Sequence, residues 1–147
     1  MKTIIATIKP VHLGNIRRGE KQYEIRKTFP TKERGPVRVL LCESGSGGKI
    51  KAEFVCDYVA PVTVFENGSI QHWNHYALHK ACITYDEMAD YIGHGKTGFA
   101  WHISEMIDYC NTKGYKVLHI SEFGLKRPPQ SWQYVPEGGD SDGVQRF

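Results

Sequence analysis

The chain has 147 residues, of which 40% are hydrophobic and 24% charged, and its formal net charge is +3. These values are typical of one globular domain that buries a core without disulfides or a structural metal. The weak positive charge allows an anionic partner, but it excludes the strongly basic footprint of a dedicated duplex-DNA binder.

Cysteine usage and hydropathy indicate the compartment. The four cysteines are widely spaced and form no C-x-x-C pair, which argues against a zinc ribbon. The apolar run in MKTIIATIKP is too short for a signal peptide, and no stretch reaches transmembrane length. We therefore expect a cytoplasmic protein with free cysteines, no membrane association and no cofactor.

The first predicted elements are a strand, a short helix and a second strand. KTIIATIK at 2–9 is rich in β-branched residues and predicts a strand. Pro10 favours the first turn of a helix, and Gly19 favours its end. YEIRKTF at 23–29 alternates apolar and polar residues, so Glu24 and Arg26 are expected to share one face of a strand.

A hairpin is predicted next. PVRVLLCE at 36–43 and KIKAEFVCDYV at 49–59 flank a glycine-rich turn, which indicates two antiparallel strands. The alternation in the second strand predicts one apolar face and one polar face. The apolar face contains Ile50, Ala52, Phe54, Cys56 and Tyr58, and the polar face contains Lys49, Lys51, Glu53 and Asp57.

The second half of the chain predicts one helix, two strands and an extended segment. Thr84 and Glu87 form a capping box that begins a helix in TYDEMADYIGHG. GFAWHISEMIDY at 98–109 and YKVLHISEFG at 115–124 are predicted strands, and prolines keep RPPQSWQYV extended. Residues 136–147 have the composition of a flexible tail. We predict an α+β domain over residues 1–135, with a mostly antiparallel, barrel-like sheet and two or three short helices.

One charged stretch, RRGEKQYEIRKT at 17–28, is the main candidate site. Its pattern is Gly19-x-Lys21-x-x-Glu24-x-Arg26. Two cations around one carboxylate can hold an anionic group while the carboxylate exchanges a proton. An exposed ion-pair cluster of little energetic weight gives the same pattern, and the spacing alone does not separate the two interpretations.

The same pattern, placed after IKPVHLGNIRRG, resembles the signature of the ASCH family in the PUA-like superfamily. WHISE at 101–105 and RPPQSWQYV at 127–135 are similar to segments of small ASCH-like proteins of phages and prophages. The resemblance covers residues 1–135. It implies a PUA-like β-barrel whose cleft holds Lys21, Glu24 and Arg26, and a nucleic-acid or nucleotide role.

One branch of the ASCH family has acetylcytidine amidohydrolase activity. Its motif keeps the lysine that matches Lys21, but it has a nucleophilic threonine at the position of Glu24. Its further catalytic glutamate aligns near Ala81. Because two of the three catalytic residue types are replaced here, we do not expect this activity.

Two other motifs are weaker. GHGKTG at 93–98 lacks the first glycine of a Walker phosphate loop, where Asp90 stands, and it follows a predicted helix rather than opening one. His72, His75 and His79 have helical spacing that suits zinc with Cys82 as a fourth ligand. The aromatic residues between them favour packing, and we expect no metal site.

The tryptophans Trp73, Trp101 and Trp132 are either core residues or base-stacking platforms. Trp132 is the best ligand candidate, because its proline-rich surroundings favour the surface. Trp101 follows a glycine-rich loop and is expected at the rim of a cleft.

The predicted function is a small RNA- or nucleotide-binding domain. Lys21 and Arg26 would contact phosphate or a base carbonyl, and Glu24 would accept hydrogen bonds from a base edge. One alternative is a hydrolase, either a nuclease or an amidohydrolase on a nucleoside-like substrate, with Lys21 and Glu24 as catalytic residues. Another alternative is a phage-encoded inhibitor of a host protein. The predicted ligand-binding residues are Lys21, Glu24, Arg26, Lys27, Ser44, Trp101 and Trp132.

Overall fold

The computed structural model describes residues 1–30, 35–71 and 74–136. In these ranges the chain forms one curled sheet and three short helices. The predicted flexible tail lies almost entirely outside the described residues. The strands are β1 (Lys2–Ile8), β2 (Tyr23–Arg26), β3 (Val37–Glu43), β4 (Lys49–Val64), β5 (Ile70–Gln71), β6 (Thr97–Asp108), β7 (Leu118–His119) and β8 (Trp132–Tyr134), and the helices are α1 (Pro10–Arg17), α2 (His75–His79) and α3 (Tyr85–Ile92).

The sheet has the order β2-β6-β4-β3-β1-β8, and β5 and β7 pair with β4. β1 runs parallel to β3, and the other pairings are antiparallel. The order begins at β2 and ends at β8, so the sheet forms a half-barrel with an open gap between these two edges. The predicted α+β class with a mostly antiparallel sheet and short helices is confirmed.

The turn after α1 brings the charged stretch to the sheet. Helix α1 begins at Pro10 and ends at Arg17, and Gly19 has a φ of 75°, a conformation that glycine adopts without steric cost. The N–H groups of Glu20 and Lys21 both donate to the carbonyl of Asn15. The chain therefore wraps around the end of α1 and enters β2 at Tyr23, two residues after Lys21.

Strand β2 is buried on both faces. Tyr23 and Ile25 pack into a cluster with Leu78 of α2 and Met88 of α3. Because side chains alternate along a strand, the other two residues of β2 point to the opposite side of the sheet. Glu24 and Arg26 on that side are buried as well, because Arg26 packs against Thr7 of β1 and Ser131 before β8.

The predicted hairpin of β3 and β4 is confirmed, with Ile50, Ala52 and Phe54 buried. The prediction is wrong for Tyr58, whose side chain is 44% exposed. The pairing of β4 with β6 shifts register between Cys56 and Val59. This bulge adds residues to one strand and turns the Tyr58 side chain to the other face.

The predicted strand at 115–124 is mostly wrong. Only Leu118–His119 is a strand, and Ile120–Phe123 form a 3-10 turn that ends at Gly124. Ile120 and Phe123 are both buried, and this spacing of three matches one turn of a 3-10 helix. The predicted helix is confirmed as α3, with the capping box of Thr84 and Glu87 in place.

Two further observations concern the predicted compartment. All four cysteines are free, and Cys42 and Cys56 are buried. Within the described residues, we find no helix with both the length and the apolar character needed to cross a membrane.

A buried ion pair joins the two strands of the hairpin. Glu53, predicted on the polar face of β4, is buried and accepts two hydrogen bonds from the Arg38 guanidinium, at 3.1 and 2.8 Å. The Tyr109 hydroxyl donates to the same carboxylate at 2.6 Å. The chain from Tyr109 to Phe123 covers this face of the sheet, so a charge that the alternation places outward is enclosed.

We predict that Glu53→Ala destabilises the fold by about 3–5 kcal/mol, because it leaves the Arg38 charge buried without its partner. Glu43→Ala on the same hairpin is the matched control. Glu43 pairs with the more exposed Lys51, so its removal is expected to cost about 1 kcal/mol or less. Urea denaturation of both variants measures the difference, and equal losses would contradict the prediction.

Candidate functional site

A pocket of about 340 Å³ lies where the start of α1, strand β2 and helix α3 meet the segment before β8. It is the place where the open edges of the half-barrel approach each other. Its walls are formed by Thr7, Ile8, Lys9, His12, Lys21, Glu24, Ile25, Arg26, Ile83, Glu87, Tyr91, Gln130 and Ser131. Lys21, Glu24 and Arg26 of the charged stretch are thus brought together.

Glu24 is the centre of the charged group. Its Oε2 accepts from Nε of Arg26 at 2.9 Å and lies 2.8 Å from Nη2 of the same guanidinium, and its Oε1 lies 3.3 Å from Nζ of Lys21. Lys21 is 2% exposed, and Glu24 and Arg26 are each 6% exposed. The interpretation of this stretch as an exposed ion-pair cluster is therefore wrong.

The protonation of Glu24 follows from these neighbours. Burial raises the pKa of the Glu24 carboxyl, but the positive charges of Arg26 and Lys21 and the Arg26 hydrogen bond outweigh it. The pKa is therefore below its usual value, and the carboxylate is ionised at neutral pH. Glu24 in this state accepts hydrogen bonds and does not supply a proton.

The Lys21 ammonium retains one free donor. Its Nζ donates to the backbone carbonyl of Ala81 at 2.5 Å and faces Glu24. An ammonium has three N–H groups, so one is left for a ligand in the pocket. Ala81, which aligns with the further glutamate of the amidohydrolase branch, thus lies at the site but contributes only its main chain.

Every nitrogen of the Arg26 guanidinium contacts an acceptor of the protein. Its Nη2 donates to the carbonyl of Thr7 at 2.7 Å, and its Nη1 donates to the carbonyl and hydroxyl oxygens of Ser131 at 3.1 and 3.3 Å. Its Nε donates to Glu24. Arg26 therefore joins β2 to β1 and to the segment before β8, and its contact with a phosphate stays a prediction.

The two tryptophans at the site differ in position. Trp101 is 0% exposed and lies under Arg26, whose guanidinium carbon is 5.9 Å from the ring centroid. It supports the site from the core and does not line a rim, contrary to prediction. Trp132 follows Ser131, is partly exposed and donates its indole N–H to Thr28 at 2.9 Å.

The remaining predicted residues lie near the pocket but outside its lining. The Lys27 ammonium is 5.2 Å from the ring centroid of Tyr91, which lines the pocket. The backbone N–H of Ser44 donates to Ile8, another lining residue. Ligand contacts of Lys27, Ser44 and Trp132 remain predictions.

Sequence reasoning missed His12. It lies in the first turn of α1 and lines the pocket, and its Nδ1 is buried without a hydrogen-bond partner among the described residues. Burial and the Lys21 charge lower the pKa of His12, so the imidazole is neutral at neutral pH. The available signal was its place beside Pro10, one helical turn from the charged stretch.

The weaker motifs do not add to the site. The 93–98 segment joins α3 to β6, as its position after a helix predicts. Over residues 1–30, 35–71 and 74–136, no group of three or more His, Cys, Asp or Glu side chains is placed to hold a metal. His72, Trp73 and the side chain of His75 lie outside the described part of the chain.

Comparison with known proteins identifies the fold. No protein-family model and no curated protein sequence matches the chain. Among solved structures, the ASCH protein of Zymomonas mobilis superposes with a TM-score of 0.73 at 14% identity, over 98% of this chain and 96% of that chain. A tyrosine-to-phenylalanine variant of that protein gives 0.73 at 14% identity over 99% of both chains. Its serine-to-alanine variant gives 0.72 at 13% identity over 97% and 94%. The chain therefore has the fold of these ASCH structures, as the resemblance of the Gly19–Arg26 stretch implies.

Proposed function

We propose that the pocket binds a nucleotide-like ligand or one nucleotide of a single-stranded RNA. The observation that carries the proposal is a buried Lys21–Glu24 pair in the wall of an open pocket. A charge pair enclosed in this way is costly to desolvate, and such groups are concentrated at binding and catalytic sites. The volume of about 340 Å³ lies in the range of small-molecule sites.

The free hydrogen-bonding groups at the pair support a base edge as the ligand. Lys21 has one N–H left, and Oε1 of Glu24 faces only this lysine, so it has a lone pair left. A donor next to an acceptor complements an amino group beside a ring nitrogen or carbonyl, as on the edge of cytosine. The Lys21–Glu24–Arg26 group has a net charge of +1, which suits a ligand that also carries a phosphate.

Hydrolysis of a bound nucleoside or RNA is a second candidate. The observation that favours it is the neutral imidazole of His12 in the same pocket, whose Nδ1 has no hydrogen-bond partner among the described residues, because a general base needs this protonation state. Glu24 is ionised and engaged on both oxygens, so the role of general acid that the sequence suggested is not supported.

We predict that Lys21→Met weakens binding of a cytidine nucleotide about tenfold or more, because it removes a charged hydrogen bond while it keeps the apolar stem. Glu24 still has Arg26 as its partner, so the variant is expected to fold. Calorimetric titration measures the affinity. Lys116→Met, which removes an exposed charge outside the pocket, is the control and is expected to bind normally. Equal affinities for both variants would contradict the proposal.

We predict that Trp132→Ala reduces affinity for a short single-stranded RNA by about 1–3 kcal/mol, because the ring beside the pocket stacks on a neighbouring base. Affinity for a mononucleotide is expected to stay unchanged. Trp132→Phe keeps an aromatic ring and is expected to retain most of the RNA affinity. If both variants bind RNA as the unmodified protein does, Trp132 serves only in packing.

If the pocket hydrolyses RNA or a nucleoside, we predict that His12→Gln slows hydrolysis about 10²–10⁴-fold, which is the usual contribution of a general base. Chromatography of short RNA and modified nucleosides after incubation provides the measurement. Acetylcytidine is expected to remain intact, since Glu24 replaces the threonine nucleophile. Intact substrates throughout would leave the pocket as a binding site.

A further inference from the structure

The pocket offers a ligand fewer positively charged hydrogen-bond donors than the sequence indicates. Arg26 uses all three of its nitrogens on Glu24, Thr7 and Ser131, so it is a structural cation rather than a ligand contact. Lys21 has one N–H left among the described residues. The base edge of the proposed site uses that N–H, so the phosphate of the same ligand needs a further donor.

His12 is placed to be that donor. It lines the same pocket, and its Nδ1 is buried without a partner among the described residues. A buried polar atom without a hydrogen bond is costly, and native structures keep such atoms mainly where a ligand or water completes them. Imidazole donates from both ring nitrogens only when it is protonated.

We propose that His12 holds an anionic group of the ligand, a phosphodiester, while Lys21 and Glu24 hold the base, and that binding takes up a proton at His12. The proposal rests on the proposed function, because it names the chemical group and the pH dependence of the same nucleotide site. It adds a ligand contact that the charged stretch does not contain.

The charges around His12 determine the direction of the effect. In the free protein, burial and the positive charges of Lys21, Lys9 and Arg26 lower the pKa of His12, while Glu24 opposes them. Glu87 of α3 also faces His12, and Tyr91 of the same helix is neutral in this pH range. A phosphodiester beside His12 adds a negative charge at close range, so it favours the imidazolium and raises this pKa. Binding is then tighter at low pH than at high pH, by a factor of ten for each unit by which the pKa rises.

The test uses the dinucleotide UpU and the nucleoside uridine. The phosphodiester of UpU keeps one negative charge, and neither uracil titrates between about pH 5 and pH 8, the range in which histidine titrates. Calorimetric titration across this range, in buffers of different ionisation enthalpy, gives both the affinity and the protons taken up. We expect about a tenfold gain in UpU affinity from high to low pH, with proton uptake, and a flat profile for uridine.

Two histidine variants assign the proton. His12→Gln keeps a side chain that forms hydrogen bonds but cannot gain a charge, so its UpU profile is expected to be flat. His79→Gln changes an exposed histidine outside the pocket and is expected to keep the profile of the unmodified protein.

The outcomes separate the two proposals. UpU binding with a flat pH profile, or with a pH dependence that persists in His12→Gln, overturns the role of His12 and leaves the nucleotide site standing. Absence of UpU binding at every pH, with binding of the cytidine nucleotide retained, overturns this inference alone. Absence of binding by UpU, uridine and the cytidine nucleotide overturns the proposed function and this inference with it.

Discussion

The half-barrel depends on the Arg26 guanidinium. The sheet order begins at β2 and ends at β8, so backbone pairing does not join these edges. Arg26 joins them instead, through the carbonyls of Thr7 on β1 and Ser131 before β8. This cation is buried between three segments that are distant in sequence, and Glu24 provides the negative charge that makes its burial tolerable. The pocket lies directly over this junction.

A substitution at Lys21 can therefore separate a loss of ligand binding from a loss of folding, whereas a substitution at Arg26 cannot. Removing Arg26 would break the junction and leave Glu24 with one partner, so a lost activity would say little about ligand contacts. Lys21 is even more buried than Arg26, but it lies to one side of the junction and retains a donor for the pocket. The site thus has two parts. Arg26 over Trp101 holds the fold together, whereas Lys21, Glu24 and His12 have hydrogen-bonding groups left for a ligand.

The local pattern was enough to predict that Glu24 and Arg26 meet, because alternate residues of a strand share a face. It was also enough for β1, α1, the hairpin and the capped helix α3. It did not reveal which donors of Arg26 are free, since their acceptor Ser131 lies 105 residues away. It placed Tyr58 on the wrong face because the β4 bulge is not visible in an alternation of two. It placed Glu53 on the right face but did not reveal that residues 109–123 cover that face. His12 escaped notice because a lone histidine in a helical turn carries no motif.

The contact between Lys21 and the Ala81 carbonyl links the pocket to the outer layer of the fold. Ala81 lies between α2 and α3, and it packs with Leu78 in the cluster under these helices. The distance between the sheet and the layer of α2 and α3 therefore sets how far the Lys21 amine reaches into the pocket. A substitution that enlarges a side chain under α2 would draw the Lys21 amine out of the pocket without changing any residue of the pocket wall. The helical layer and the pocket are therefore constrained to vary together.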